Sequence, residues 1–98
     1  MRFEWDESKN RQNRRKHRVS FETAQRVFDD PHALSVLDRG VEDEERWQTL
    51  GDVGGIVVLI VAHTLRNVHG EELVRIISAR KATPRERSLY EVQGKKAQ

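Results

Sequence analysis

Of the 18 cationic side chains in this chain of 98 residues, 13 are arginine, whose planar fork matches a phosphate or carboxylate through two parallel hydrogen bonds. Few groups able to move a proton near neutral pH accompany them. His17, beside Lys16, falls at the end of a predicted helix, where the C-terminal dipole favours the charged imidazole. Arg66 follows an apolar strand, Arg75 and Arg80 lie within and at the end of the next, and Tyr90 lies beyond them. Cleavage of RNA without a metal needs help in deprotonating the 2′-hydroxyl, positive charge on the pentavalent phosphate and a proton for the leaving 5′-oxygen. Arginine supplies the second; His17, Lys16 and Tyr90 are the candidates for the other two. The competing reading is structural: His17 as a capping or core histidine, and Arg75, costly inside Val74-Arg75-Ile76-Ile77 unless paired, as an ion-pair partner of an acidic segment.

Other chemistries are poorly served. The chain has no Cys, which removes disulfides, thiolate zinc sites and cysteine nucleophiles together. Its four His show neither the helical i, i+4 spacing of a zinc protease nor finger spacing, so no metal and no cofactor are expected. Gly51 to Gly55 falls between two predicted strands, which makes it a hairpin and not a phosphate loop. Nothing in the order of Ser20, Ser35, Ser78 and Ser88 suggests a nucleophile with its base.

The net charge of +2 is a cancellation. Residues 1–18 carry +4, residues 19–50 carry −5 and residues 71–98 carry +3. Basic ends suit a polyanion such as nucleic acid, and the acidic middle suits a basic protein segment or simple solubility. Hydrophobic residues are 36% of the chain, a lean core for one domain. The longest apolar run, Ile56 to Ala62, is far short of the roughly 20 residues of a membrane helix. The charged N-terminus does not resemble a signal peptide, and a soluble, cytoplasmic protein is expected.

These residues must be positioned by a small set of elements. Arg2 to Trp5 alternates as a short strand. Asp6 caps a helix running to about His17 that has no apolar residue at all, with Asn10, Asn13 and His17 on one face that hydrogen bonds or a ligand must satisfy. Ser20 caps a second helix with the stripe Phe21, Ala24, Val27 and Phe28, ending at Asp29-Asp30-Pro31. Four strands follow, roughly Ala33 to Asp38, Glu45 to Leu50, Ile56 to Thr64 and Glu72 to Arg80, with turns at Asp38-Arg39-Gly40, Gly51 to Gly55 and Asn67 to Gly70. A turn centred near Val68 and His69 sets Thr64 opposite Leu73 and places Arg75 and Arg80 on opposite sheet faces unless a bulge intervenes. Thr83-Pro84-Arg85-Glu86 is a capping box with proline at the first helical position, and Leu89 and Val92 give the closing helix an apolar seam. The order β-α-α-β-β-β-β-α predicts an α+β fold: one domain over 1–98, an antiparallel sheet with helices packed on it, and a frayed tail at 93–98. The expected core is Phe3, Trp5, Phe21, Phe28, Trp47, Ile56 to Ala62, Ile76, Ile77 and Leu89.

In order along the chain, FEWDESKNRQNRRKH, VSFETAQRVFDD, EERWQTLG, Thr64-Leu65-Arg66 and RIISARKATPRERSLYE resemble the BrnT family of type II toxins. The resemblance implies a fold similar to the RelE-type ribonuclease toxins and metal-independent RNA cleavage that arrests translation. It also implies neutralisation by a BrnA-like ribbon-helix-helix antitoxin, with operator DNA bound only through the complex. By motif, it points to His17, Arg46, Arg66 and Arg80 as the catalytic set. Lys16, Arg75, Lys81, Arg87 and Tyr90 are the candidates for substrate contact. Two departures stand out: Arg18 occupies the position after Lys-His where the family usually has Gly, and Asn67 to Glu72 is long for the family's hairpin. One alternative reading is a non-catalytic RNA- or protein-binding module using the same arginines; another is a protein whose role is to be held by a partner chain, with the acidic stretch Glu42 to Glu45 as the docking surface.

Overall fold

The computed structural model describes residues 1–38 and 45–94; the predicted turn at Arg39-Gly40, residues 42–44 of the acidic stretch and the tail 95–98 lie outside them. A five-stranded sheet is ordered β1-β5-β4-β3-β2, with β1 Arg2–Glu4, β2 Leu34–Asp38, β3 Arg46–Val53, β4 Val57–Val68 and β5 Glu71–Lys81. Helix α1 spans Glu7–His17, α2 spans Phe21–Gln25 and runs into a 3₁₀ turn at Arg26–Asp29, and α3 spans Pro84–Leu89 and ends in a π turn at Tyr90–Gly94. The element order is the expected one, but the sheet is mixed rather than wholly antiparallel. β1 runs parallel to β5, Phe3 level with Val74. No hairpin links these two strands, so nothing local fixes their relative direction.

The main core lies between one sheet face and α2 with its 3₁₀ turn. Phe21, Ala24 and Val27 are fully buried against Leu59, Val61, Val74 and Ile76, with Phe3, Trp5 and Phe28 packed at the margin. Burying each large apolar side chain here contributes about 2 kcal/mol. The 3₁₀ turn lies directly over β3: a Cβ on Gly51 would come 2.6 Å from Val27 Cγ1, which is why a glycine stands inside the strand. The expected loop at Gly51 to Gly55 therefore shrinks to Gly54, Gly55 and Ile56, and Ile56, expected in the core, is 90% exposed at the tip. Leu89 and Val92 are also exposed; the closing segment docks through Tyr90, which packs on Leu50 and Ile60 from the opposite sheet face.

The β4–β5 hairpin turns at His69 and Gly70, both with positive φ, as a tight two-residue turn requires. Within Asn67 to Glu72 only His69 and Gly70 are unpaired, so the segment is not a long loop, and Arg66 rather than Thr64 faces Leu73. Further along, the register shifts between Ala62 and His63, so Ile77 is an extra residue on β5. This bulge reverses the alternation of β5. Val74 and Ile76 before it and Ala79 after it all point into the main core, and Arg75 and Arg80 come to share the opposite face.

His63, at the bulge, is buried against the ring of Phe28. Its Nδ1 lies 3.2 Å from the Thr64 carbonyl and its Nε2 2.7 Å from Thr49 Oγ1, which in turn meets Ser35 Oγ at 2.8 Å. Because a carbonyl can only accept, Nδ1 carries the proton and Nε2 accepts from Thr49. Burial lowers the His63 pKa, keeping the ring neutral.

Helix α1, without an apolar side chain, is held by amides. Asn13 Nδ2 donates to the carbonyls of Val19 and Ala79 at 2.8 and 2.7 Å, while its Oδ1 accepts from the Ala79 amide at 3.1 Å. Asn10 Oδ1 accepts from the Phe21 amide, and its Nδ2 reaches Glu22. The Asn10 and Asn13 side chains of the polar face are satisfied by the fold itself. Replacing Asn13 with Ala strips three buried backbone groups of their partner, each loss costing about 1 kcal/mol or more. Urea unfolding of Asn13→Ala is expected to show a stability loss of about 3 kcal/mol with an unchanged m-value, whereas an outward Gln12→Ala substitution leaves the midpoint in place.

Candidate functional site

The bulge and the hairpin register gather charge on the sheet face that α2 leaves uncovered. Arg75 is level with Thr64 on β4 and with Glu4 on β1. One step beyond the last β3–β4 pair, Trp47 with His63, Arg46 comes level with Thr64 from the other side, and Asp38 of β2 is opposite Arg46. A row Asp38, Arg46, Thr64, Arg75, Glu4 therefore crosses all five strands. Arg66, two residues on from Thr64, joins it: Glu4 Oε1 lies 3.6 Å from both Arg66 Nη2 and Arg75 Nη1. The arginine that seemed to need an acidic partner from the middle of the chain finds one on β1 instead. Arg66 and Arg75 remain 64% and 45% exposed, so their donors face solvent as well as Glu4. The next row inward holds Gln48, Ala62 and Ser78, the last two with short side chains.

Arg80 stands at the other end of this face, five residues or about 16 Å along β5 from Arg75. Its Nη1 and Nη2 donate to Glu86 Oε1 and Oε2 at 2.7 and 2.9 Å, a bidentate pair. Glu86 also accepts from the Thr83 amide and completes the capping box of α3. The Arg80 hydrogen bonds hold the Glu86 carboxyl down to about 2 and raise the Arg80 pKa. Arg80 thus anchors the last helix to the last strand.

The remaining candidates are dispersed. Lys81 and Arg87 line a groove of about 580 Å³ with Asp30, His32, Asp52 and Tyr90. Tyr90 is buried, its hydroxyl donates to Asp30 at 2.5 Å, and burial together with that carboxylate raises its pKa, which makes it a structural hydrogen-bond donor. His17 is half-buried one turn beyond Asn13, and its ring makes no hydrogen bond or ion pair among the described residues; Lys16 beside it is exposed. Because α1 follows the edge of β5 past Ala79, these two lie toward the Arg80 end. The expected set therefore divides between the two ends of β5: Arg46, Arg66 and Arg75 gather at one, and Arg80, Lys81, Lys16 and His17 lie toward the other. Glu4 was not legible as a site residue, since its contact with Arg66 and Arg75 depends on which strand β1 joins. Among the described residues no group of three His, Asp or Glu side chains is arranged to hold a metal ion.

Residues 5–86 match the family described as "Ribonuclease toxin, BrnT, of type II toxin-antitoxin system". The chain belongs to this family. Among solved structures, the ribonuclease toxin BrnT of Brucella abortus superposes with a TM-score of 0.59 at 24% sequence identity, covering 85% of this chain and 97% of that one. The likeness extends the α+β architecture across the BrnT domain. A search among curated proteins found no match. Arg18, after Lys-His, caps α1 at φ 61, in the left-handed region where glycine is at ease.

The Arg80–Glu86 pair gives a pH signature. A carboxyl whose folded pKa lies below its usual 4.5 stabilises the fold fully above that value, and the contribution fades as pH falls toward about 2. Thermal unfolding followed from pH 6 to pH 2 is expected to show this loss in the wild type. Glu86→Gln begins from a lower melting temperature at pH 6 and converges with the wild type at the acid end; parallel curves would contradict the assignment.

Proposed function

We propose that this chain is a metal-independent endoribonuclease that arrests translation in the cytoplasm, with its reaction centre at the Arg46, Arg66, Arg75 and Glu4 end of the open sheet face. The observation that carries the reading is that Arg66 and Arg75 share the Glu4 carboxylate on the open sheet face, with Arg46 on the same row as Arg75 across Thr64. They supply the positive charge that a pentavalent phosphate needs, already oriented and without a proton to gain or lose. Glu4 pairs with both Arg66 and Arg75 and is the carboxylate placed to take the proton of a 2′-hydroxyl whose phosphate those arginines bind; the 2′-oxygen then displaces the 5′-oxygen, which takes its proton from solvent water at this open face. Arg80 is engaged at both fork nitrogens by Glu86, which favours the other end of the strand for chemistry. His17, Lys16, Lys81 and Arg87 then contact flanking RNA, and Tyr90 supports the scaffold.

As in other type II systems, an antitoxin partner is part of the proposal: a BrnA-like ribbon-helix-helix protein that neutralises the enzyme and binds operator DNA as the complex. No helix among the described residues is long and apolar enough to cross a membrane.

The test is single-turnover cleavage of a labelled RNA oligonucleotide in EDTA. The wild type is expected to cleave, leaving 5′-hydroxyl ends. Arg75→Ala, Arg66→Ala and Arg46→Ala each lower the rate about 10²-fold or more, and His17→Ala lowers it less than tenfold. Activity that EDTA abolishes would overturn metal independence. A loss confined to His17→Ala and Arg80→Ala would move the reaction centre to the opposite end. RNA binding without cleavage at any pH would make the same face a non-catalytic binding module.

A further inference from the structure

A second basic surface lies away from the sheet face. Arg11, Arg14, Arg15 and Arg18 line a groove of about 760 Å³ between α1 and the start of α2, with Ser20 and Thr23 as its other lining residues. Arg11, Arg14 and Arg15 are spaced i, i+3 and i+4 on α1, and Arg18, its C-cap residue, lines the same groove, so the four span about 10 Å. From Ser8 to Phe21 there are six cationic residues and no acidic one. The nearest acidic neighbour, Glu22, is turned to Asn10 Nδ2 at 2.9 Å; Arg14 interacts with it only at a distance, and none of the four arginines makes a salt bridge among the described residues. These side chains play no part in fastening α1, which is done by Asn10 and Asn13 from the other face.

Arg18 supplies an independent observation. It sits at φ 61, a conformation that costs an L-residue free energy and that glycine adopts readily. Arg18 is thus strained relative to glycine, its side chain lines the groove, and no salt bridge among the described residues offsets that strain within the fold.

We propose that this groove is an exosite for the RNA backbone, holding single-stranded RNA by its phosphates at a distance from the reaction centre. The proposal rests on RNA being the target of the enzyme. The lining decides the occupant. Protein interfaces combine arginine with aromatic side chains and methionine around a largely apolar centre, whereas the residues lining this groove are Arg, Ser and Thr with no aromatic or methionine among them. Arginine forks and hydroxyl groups are the usual partners of phosphate oxygens, and such contacts are independent of base sequence. The exosite therefore adds affinity for long RNA and no preference for particular bases.

The experiment uses the full chain and a 20-nucleotide RNA carrying 2′-O-methyl groups throughout, so that it binds without being cut. Fluorescence anisotropy is measured across a salt series for the wild type, Arg75→Ala, the triple variant R11Q/R15Q/R18Q and Arg18→Gly. The triple variant is expected to bind at least tenfold more weakly. Its log–log salt slope is expected to be shallower by about 2, three phosphate contacts at about 0.7 each for a single strand. On a cleavable trinucleotide, too short to reach the groove, it turns over at the wild-type rate, whereas KM for long RNA rises with kcat unchanged. Arg18→Gly is expected to raise the melting temperature while weakening RNA binding, a pair of opposite changes that a purely structural Arg18 does not produce. Unchanged affinity and salt slope in the triple variant would overturn the exosite, as would a poly-glutamate peptide of equal charge outcompeting the RNA. If the wild type binds RNA through the groove and cleaves none, the ribonuclease reading fails and the exosite stands.

Discussion

One side-chain amide does the work of a missing strand. β1 is only three residues long and leaves β5 beside α1 without a strand neighbour; there the Asn13 amide takes both the N–H and the C=O of Ala79, much as a neighbouring peptide would. The same amide takes the Val19 carbonyl, so the last strand, the first helix and the lead-in to the second are joined at one point. Buried polar backbone groups must find partners, and leaving them unpaired costs more than the bond itself returns. That asymmetry is why a helix with no apolar face docks at all.

A second constraint, the extra residue at Ile77, decides which side chains meet. A regular β5 would send Arg75 and Arg80 to opposite faces; the bulge sends both to the open one and keeps Val74, Ile76 and Ala79 together in the core. Bulges commonly re-aim side chains beside functional sites. Here the consequence is that Arg80 shares a face with the row set by the hairpin, which begins and ends in a carboxylate and carries Arg46 and Arg75 on either side of the small Thr64.

Local chemistry was legible wherever a single stretch of sequence encodes it. The Asp6 and Ser20 caps, the Phe21, Ala24 and Val27 stripe, the Thr83 to Glu86 capping box and the sequence of elements could all be read from neighbouring residues. What needed knowledge of a distant partner could not. The direction of β1, the bulge, the burial of Tyr90 in place of Leu89, and the exposure of Ile56 each follow from an element far along the chain. For the site, the arginines were identifiable by type and motif. Their division between two ends of β5, the engagement of Arg80 by Glu86 and the place of Glu4 between Arg66 and Arg75 were not, because register fixes them and composition does not.

Directional bonds fix a helix differently from an apolar stripe. A greasy face can rotate or slide by a fraction of a turn and still remain buried, but an amide that bonds both groups of one peptide has a single address. The outward residues of α1 are therefore indexed to the sheet as firmly as if they belonged to it. None of them is needed to keep the helix in place, so the outer face can change its charge from one homologue to the next while the scaffold beneath stays the same.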